Sequence, residues 1–343
     1  MSKKMPTRRR AVAAIAALII ATGCTAEPSA PGSAMSPDAR EYLITALDVM
    51  EGNSLYKSDL DWSTIRQNAF TRGAKARTQA ETYGAVREAL RNLGDQHSQF
   101  MTPEEAKAAL SPSSENSVLP EGRLLPGGIG YLVLPSVASD KAAAAYVRHA
   151  RTVVQDMDRQ GARGWIVDLR SNTGGDMWGP LASVGRLLND GDIGTFVESD
   201  GKRTAWTLQD GTPKAYRDTW GPYEPLTHPD PPVAVLTSKR TASAAEAVTI
   251  AFRGQPRTRS FGQPTRGVPT ANDSHRLADG AMIIVTQARE ADRTGRIYEG
   301  PIPPDEELPD DTRNPGNSQD STMEAAIRWM STQRPSLDIA TLP

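Results

Sequence analysis

From Gly128 onward, short apolar runs rich in β-branched residues alternate with segments whose apolar residues recur at helical spacing: GIGYLVLPSV, DKAAAAYVRHARTVVQDM, GWIVDLR, WGPLASVGRLL, PVAVLT and SAAEAVTIAF. A run that is apolar at every position, rather than at alternate ones, belongs to a strand covered on both faces. Repeated strand, helix, strand order is the signature of βαβ units. Further on, SHRLADGAMIIVT and TGRIYEGPIPPD have the pattern of strands and turns, with Asp279 and Gly280 at a hairpin turn. MEAAIRWM is a closing helix. Before this region, Tyr42, Leu43, Ala46, Leu47 and Met50, then Ala85, Val86, Ala89, Leu90 and Leu93, recur at helical spacing. The Ser/Pro/Gly-rich stretch SPSSENSVLPEG marks a boundary. The expected fold is α/β with α+β character: a βαβ-rich core with a mixed sheet over residues 111–343, and a helical cap over 38–110. A chain of 343 residues accommodates two such units.

The first 23 residues form a basic stretch ending in RRR, the apolar run AVAAIAALIIAT and a small-residue site before Cys24. The run is too short to span a bilayer, which needs about 20 apolar residues, and the three-part order is that of an export signal. ATGC resembles a bacterial lipobox, with Ala21 where Leu is commonest. Cys24 is the one cysteine of the chain, and lipidation there accounts for it better than a free thiol or an intermolecular disulfide. Residues 24–37 are small, Pro-containing and nearly uncharged, as suits a tether. The expected location is the extracytoplasmic face of a cell membrane, held by two or more acyl chains. RRR is also compatible with twin-arginine export. The formal charge is −2; the five basic residues before Cys24, with no acidic one among them, leave −7 for the remainder. No basic stripe suggests nucleic acid.

In an open α/β sheet, reactive groups collect where strands end and helices begin. PVAVLTSKRTASAAEAV places Ser243 there. The field and free N–H groups of a helix N-terminus favour an alkoxide and its oxyanion, while Ser243 with Glu246 also fits a capping box. GWIVDLRSNTGGDMWG runs from a buried strand into a turn where Gly174 and Gly175 present N–H groups. Its spacing matches neither GxGxxG nor GxxxxGKS/T, which argues against nucleotide binding. A serine nucleophile needs a base. Of the four histidines, His149 falls on a charged helix face and His228 in a Pro-rich loop. His275, in NDSHRLADG, fits either a hairpin residue or a neighbour of the site, and His97 follows a helix end, between Asp95 and Ser98.

Over about His97 to Asp305 these blocks resemble the C-terminal processing peptidases, or tail-specific proteases. GIGYLVLPSV is similar to that family's first core strand, DLRSNTGG to its glycine block, TASAAE to its nucleophile block and YEGPIPPD to its closing segment. The resemblance implies that Ser243 is the nucleophile. Many members carry a lysine base where GQPTRGVPTAN has Val268, so the Ser/Lys dyad is absent. Lys239, before the nucleophile, does not take that role. A subset including the nisin-resistance and tricorn types uses histidine from a segment that DQHSQF resembles, which gives the base role to His97. The roughly thirty residues between His97 and Gly128 leave no room for a PDZ domain, again as in that subset.

The resemblance implies an acyl-enzyme route to peptide hydrolysis. N–H groups of Gly174 or Gly175 and of Ala244 would form the oxyanion hole, Glu299 would orient His97, and neither metal nor cofactor would be needed. The expected partner is a peptide or protein substrate lying extended between cap and core. The alternative is a lipid-anchored peptide-binding or sequestering protein that kept the fold and lost turnover, which the missing lysine favours. An α/β-hydrolase esterase is disfavoured because TASAA lacks the GxSxG elbow.

Overall fold

The computed structural model describes residues 34–110, 118–137, 140–309 and 320–333. Cys24, the export signal and most of the tether lie outside them. The chain from Met35 onward clusters as one unit.

The N-terminal helices form where the apolar spacing predicts. Helix α1 (Pro37–Asn53) buries Ala39, Tyr42, Leu43, Ala46, Leu47 and Met50 on one face. It starts at Ser36, whose hydroxyl accepts the Ala39 N–H, with proline at the first helical position, where no N–H is needed. Helix α2 (Trp62–Arg72) is capped by Asp61, and α3 (Tyr83–Arg91) buries Ala85, Val86, Ala89 and Leu90. The cap also contains a short strand, β1 (Gln99–Met101), followed by α4 (Pro103–Leu110). Its apolar face packs in one cluster with Phe100, Leu277, Ala281, Ile283 and Val285. The cap therefore shares its core with a hairpin that begins 160 residues after α4 ends.

The first sheet is built from β2 (Glu121–Leu125), β3 (Ile129–Val133), β4 (Gly164–Asp168), β8 (Val233–Thr237), β9 (Thr258–Gly262) and β13 (Glu306–Glu307), in the order β13-β9-β8-β4-β3-β2. All neighbours run parallel except β2 with β3, so the sheet is mixed. Both β4 and β8 are buried at every position, because helices cover both faces. On one side α5 (Asp140–Arg159), α6 (Trp178–Ser183) and α8 (Ala244–Ala251) close the main core, which holds Leu132, Trp165, Val167, Val235 and Val248. On the other, α9 (Ser321–Thr332) packs against Tyr131, Ile166, Ala234 and Phe261.

The second sheet is antiparallel and was less visible in the sequence. Strands β5 (Gly191–Glu198) and β6 (Arg203–Gln209) form a hairpin, continued by β7 (Thr212–Pro213) and the short α7 (Arg217–Trp220). Strands β10 (Thr270–Arg276) and β11 (Met282–Asp292) form a second hairpin, and β11 also pairs with β1, β5 and β12 (Ile297–Tyr298). The β10–β11 turn falls at Asp279 and Gly280, with Gly280 at φ 93°. The Asp279 carboxylate accepts the hydroxyls of Tyr42 and Tyr83 from the cap and the Ala281 N–H.

Candidate active site

The turns after β4 and β8 meet at the carboxyl edge of the parallel strands, the place where such a sheet collects ligands. They are bonded to one another. Ser238 Oγ donates to the Arg170 carbonyl at 2.7 Å, Thr241 Oγ1 to the Leu169 carbonyl at 3.0 Å, and the Ala242 N–H to the Asn172 carbonyl at 3.2 Å. Below them, buried Arg170 pairs with Asp168 and with Asp320, which also caps α9. The DLR triplet thus ties the strand end to the closing helix, and its arginine is occupied by two carboxylates.

Ser243 is the N-cap of α8 and sits at φ 52°, ψ −115°, outside the regions open to a residue with a Cβ. The strain is held by its surroundings. Its N–H donates to Glu246 Oε2 at 2.7 Å, and its carbonyl accepts the N–H groups of Glu246 and Ala247. Gly174 packs directly against it: a Cβ at Gly174 would lie 3.0 Å from Ser243 Cβ and 3.5 Å from its Oγ. The glycine turn is held in that position by Asn172, which is fully buried. Its Oδ1 accepts the Gly174 N–H at 2.9 Å, and its Nδ2 donates to the carbonyls of Leu134 and Pro135. Gly175, at φ 112°, is pressed so closely on Val137 that a Cβ would stand 1.9 Å from that carbonyl oxygen.

This separates the two glycines. The Gly174 N–H is taken by Asn172, whereas the N–H groups of Gly175 and Ala244 carry no hydrogen bond among the described residues. Gly175 therefore presents an N–H without a hydrogen bond among the described residues, and Gly174 supplies the space beside the serine.

His97 lies in the loop between α3 and β1. Asp95 shapes that loop, its carboxylate accepting the N–H groups of His97 and Ser98 and the hydroxyls of Ser98 and Thr286. The His97 ring is half-buried, and its Nδ1 lies 2.7 Å from Thr270 Oγ1. In the tautomer with the proton on Nδ1, that bond leaves Nε2 with its lone pair, the form a general base needs. Burial lowers the pKa of the ring; Asp95 opposes the shift and Arg266 adds to it. The imidazole is therefore neutral near pH 7.

Glu246 links the two halves of the site. Its Oε2 accepts the Ser243 and Val268 N–H groups, and its Oε1 accepts the Gly267 N–H and the Thr265 hydroxyl. Val268, which stands where lysine was looked for, is buried and offers only its backbone. Two residues later Thr270 holds His97. The capping carboxylate of α8 thus fixes the loop that carries the partner of His97, a function larger than the stabilisation of a helix start.

Glu299 lies elsewhere in the hydrogen-bond pattern. It pairs with Arg289 at 2.7 Å and is largely exposed, so the bonded partner of the His97 ring is Thr270 and not Glu299. His275, on β10, approaches Asp273 and Gln287, and His149 lies on α5. Among the described residues, no three His, Cys, Asp or Glu side chains are grouped to hold a metal ion. Thr270 and Asn172 escaped the sequence reading, although polar residues inside the apolar-flanked PTRGVPTAN and DLRSNTGG segments were a usable signal.

Residues 128–308 match the model of peptidase family S41. The chain belongs to that family. The nisin-resistance protein of Lactococcus lactis subsp. lactis is 26% identical over 298 residues, covering 87% of this chain and 88% of that protein. A carboxyl-terminal-processing protease of Synechocystis sp. is 31% identical over 179 residues, 52% of this chain but 37% of that longer protein. Among solved structures, a lipoprotein from Streptococcus agalactiae superposes with a TM-score of 0.74 at 25% identity, covering 87% of this chain and 98% of that one. The photosystem II D1 C-terminal processing protease shares the fold, with a TM-score of 0.60 at 18% identity over 80% of this chain and 94% of that one. Family membership makes the chain a peptidase by descent. Among the described residues no helix is long and apolar enough to cross a membrane.

Proposed function

We propose that the protein is a serine endopeptidase of the extracytoplasmic face, anchored by lipid on Cys24, which cleaves peptides or protein tails through Ser243 and His97. The observation that carries the reading is the backbone of Ser243. A non-glycine residue at φ 52° costs on the order of 1–3 kcal/mol and persists only where its surroundings enforce it. Helix capping alone does not need that conformation, since a cap residue ordinarily sits in the extended region. Reactive serines on strained strand-to-helix turns do.

His97 Nε2 takes the Ser243 proton as Oγ attacks the peptide carbonyl, and a tetrahedral oxyanion forms. The N–H groups of Gly175 and Ala244 receive it, at a worth of about 3–4 kcal/mol per donor in comparable sites. The imidazolium then protonates the leaving amine, and water, deprotonated by the same ring, releases the acid from the acyl-enzyme. Ring neutrality at pH 7 supports His97 as the base, and the Thr270 hydroxyl bonded to Nδ1 holds the ring in place.

The lipoprotein fold neighbour and the ATGC segment support the anchor. Fluorophosphonate labelling tests the chemistry. Labelling of the wild type with loss in Ser243→Ala is expected; an unlabelled wild type would favour the peptide-sequestering alternative, which rests on Val268 in place of lysine.

A further inference from the structure

The carboxyl of Glu290 is buried within the support of this site, and the mechanism above assigns it no part. It stands on β11 opposite Phe196 of β5 and Tyr298 of β12, and is 2% exposed. Its N–H donates to the Pro269 carbonyl at 3.2 Å, between the residue that binds Glu246 and the one that binds His97. Its Oε2 is buried with no hydrogen-bond partner among the described residues.

The acid within electrostatic reach of Glu290 is Glu246, across the contact between β11 and α8. Two buried carboxyls that feel one another do not both ionise near neutrality. The hydrogen bonds decide which keeps the charge. Burial raises the pKa of Glu246 as well, but the donors from Ser243, Thr265, Gly267 and Val268 oppose that rise, and nothing opposes it at Glu290; a carboxylate is an acceptor throughout. Glu290 Oε2 has no such donor among the described residues, and an unpartnered buried anion is strongly disfavoured. Nearby charges are otherwise engaged. Arg289 on β11 is paired with Glu299, Asp292 is held by Tyr298 and Thr294, and no cation is paired with Glu290 among the described residues. The facing residues of β5 and β12 are Phe196 and Tyr298, and the Gly267–Thr270 loop meets β11 through the Pro269 carbonyl; Arg266, just before that loop in sequence, acts on His97.

We infer that Glu290 holds a proton at neutral pH and acts as a positioning residue, keeping Glu246 the single anion around which the Ser243 amide and the Gly267–Thr270 loop are gathered. Burial and the neighbouring Glu246 both push its ionisation well above the usual carboxylate range. Loss of the proton places a second negative charge beside Glu246, loosens the loop and releases the Thr270 hydroxyl from His97. The functional consequence rests on the Ser243/His97 reading; the location of the proton does not.

The test is infrared spectroscopy of the full chain at neutral pH, following the carbonyl stretch of a protonated carboxylic acid. The band is expected in the wild type and in Ser243→Ala, and its loss in Glu290→Gln assigns it. Absence of the band from the wild type, or its survival in Glu290→Gln, overturns the assignment. If Glu290→Gln does not fold, Glu246→Gln decides: the band remains if the proton is on Glu290 and disappears if it was on Glu246. The positioning role is read from fluorophosphonate labelling against pH. The alkaline fall in wild-type rate should move up by a pH unit or more in Glu290→Gln, and coincident profiles overturn that role. A wild type that never labels sinks the serine peptidase reading instead, while the infrared result still decides the proton.

Discussion

Thr270 Oγ1 lies 2.7 Å from His97 Nδ1, joining the α3–β1 loop of the cap to the first position of β10, 173 residues away. Thr270→Val removes the bond at nearly constant volume. A neutral hydrogen bond contributes about 0.5–1.5 kcal/mol, so kcat should fall about 3–10-fold with KM little changed, and Thr270→Ser should recover most of it. Loss in Thr270→Ser with Thr270→Val unaffected would mean that the methyl group, not the hydroxyl, matters.

The pH dependence of acylation follows from the same ring. A base acts when neutral, and burial holds His97 below its ordinary pKa of 6.5. The labelling rate should therefore rise with pH through a midpoint under that value and be level at neutrality. Arg266→Glu replaces a neighbouring positive charge by a negative one and should move the midpoint upward. A midpoint that stays fixed in this variant would remove His97 from the base role.

These two residues show where sequence reading stops. The parallel strands, the helices α5, α8 and α9 and the Asp279–Gly280 turn were legible because apolar runs and turn residues are local signals. The β5–β6 hairpin was not: β5 carries two glycines and no regular alternation, and its pairing with β11 comes from residues far along the chain. The serine and the glycine block were visible as residue types in order. Which glycine N–H is free depended on the Asn172 side chain, and the His97 partner depended on how β10 meets the cap loop. Neither is encoded in spacing along one segment.

Ser243→Gly should relieve backbone strain while removing the hydroxyl. Strain of about 1–3 kcal/mol outweighs the flexibility cost of glycine, about 0.5–1 kcal/mol. Differential scanning calorimetry should show a higher Tm than the wild type together with complete loss of labelling. A lower Tm would show that the conformation is not strained.

Gly175→Ala brings a methyl carbon to within 1.9 Å of the Val137 carbonyl oxygen, and the turn must shift. Displacing one oxyanion donor costs about 100–1000-fold in kcat. Steady-state kinetics on a fluorogenic peptide should show that loss with a small change in KM. A predominant effect on KM would assign Gly175 to substrate binding.

The buried proton on Glu290 also has a stability signature. In the unfolded chain this carboxyl ionises at the ordinary value, about 4.3, whereas in the fold it stays neutral to much higher pH. The wild type therefore loses stability as pH rises above the unfolded value, and the loss is complete once pH passes the folded one. Glu290→Gln carries no such penalty, so its Tm relative to the wild type should increase between pH 5 and pH 8. A constant difference would contradict the proton assignment.

Glu246 binds the amide of the nucleophile itself and the amides of Gly267 and Val268 in the loop leading to the His97 partner, so these elements have no separate equilibria. Hydrogen exchange at Ser243, Gly267 and Val268 should proceed through one shared opening event with a single protection factor. Damage to either half would be felt in both, and the enzyme would lose its working arrangement in a single cooperative step rather than by gradual loosening.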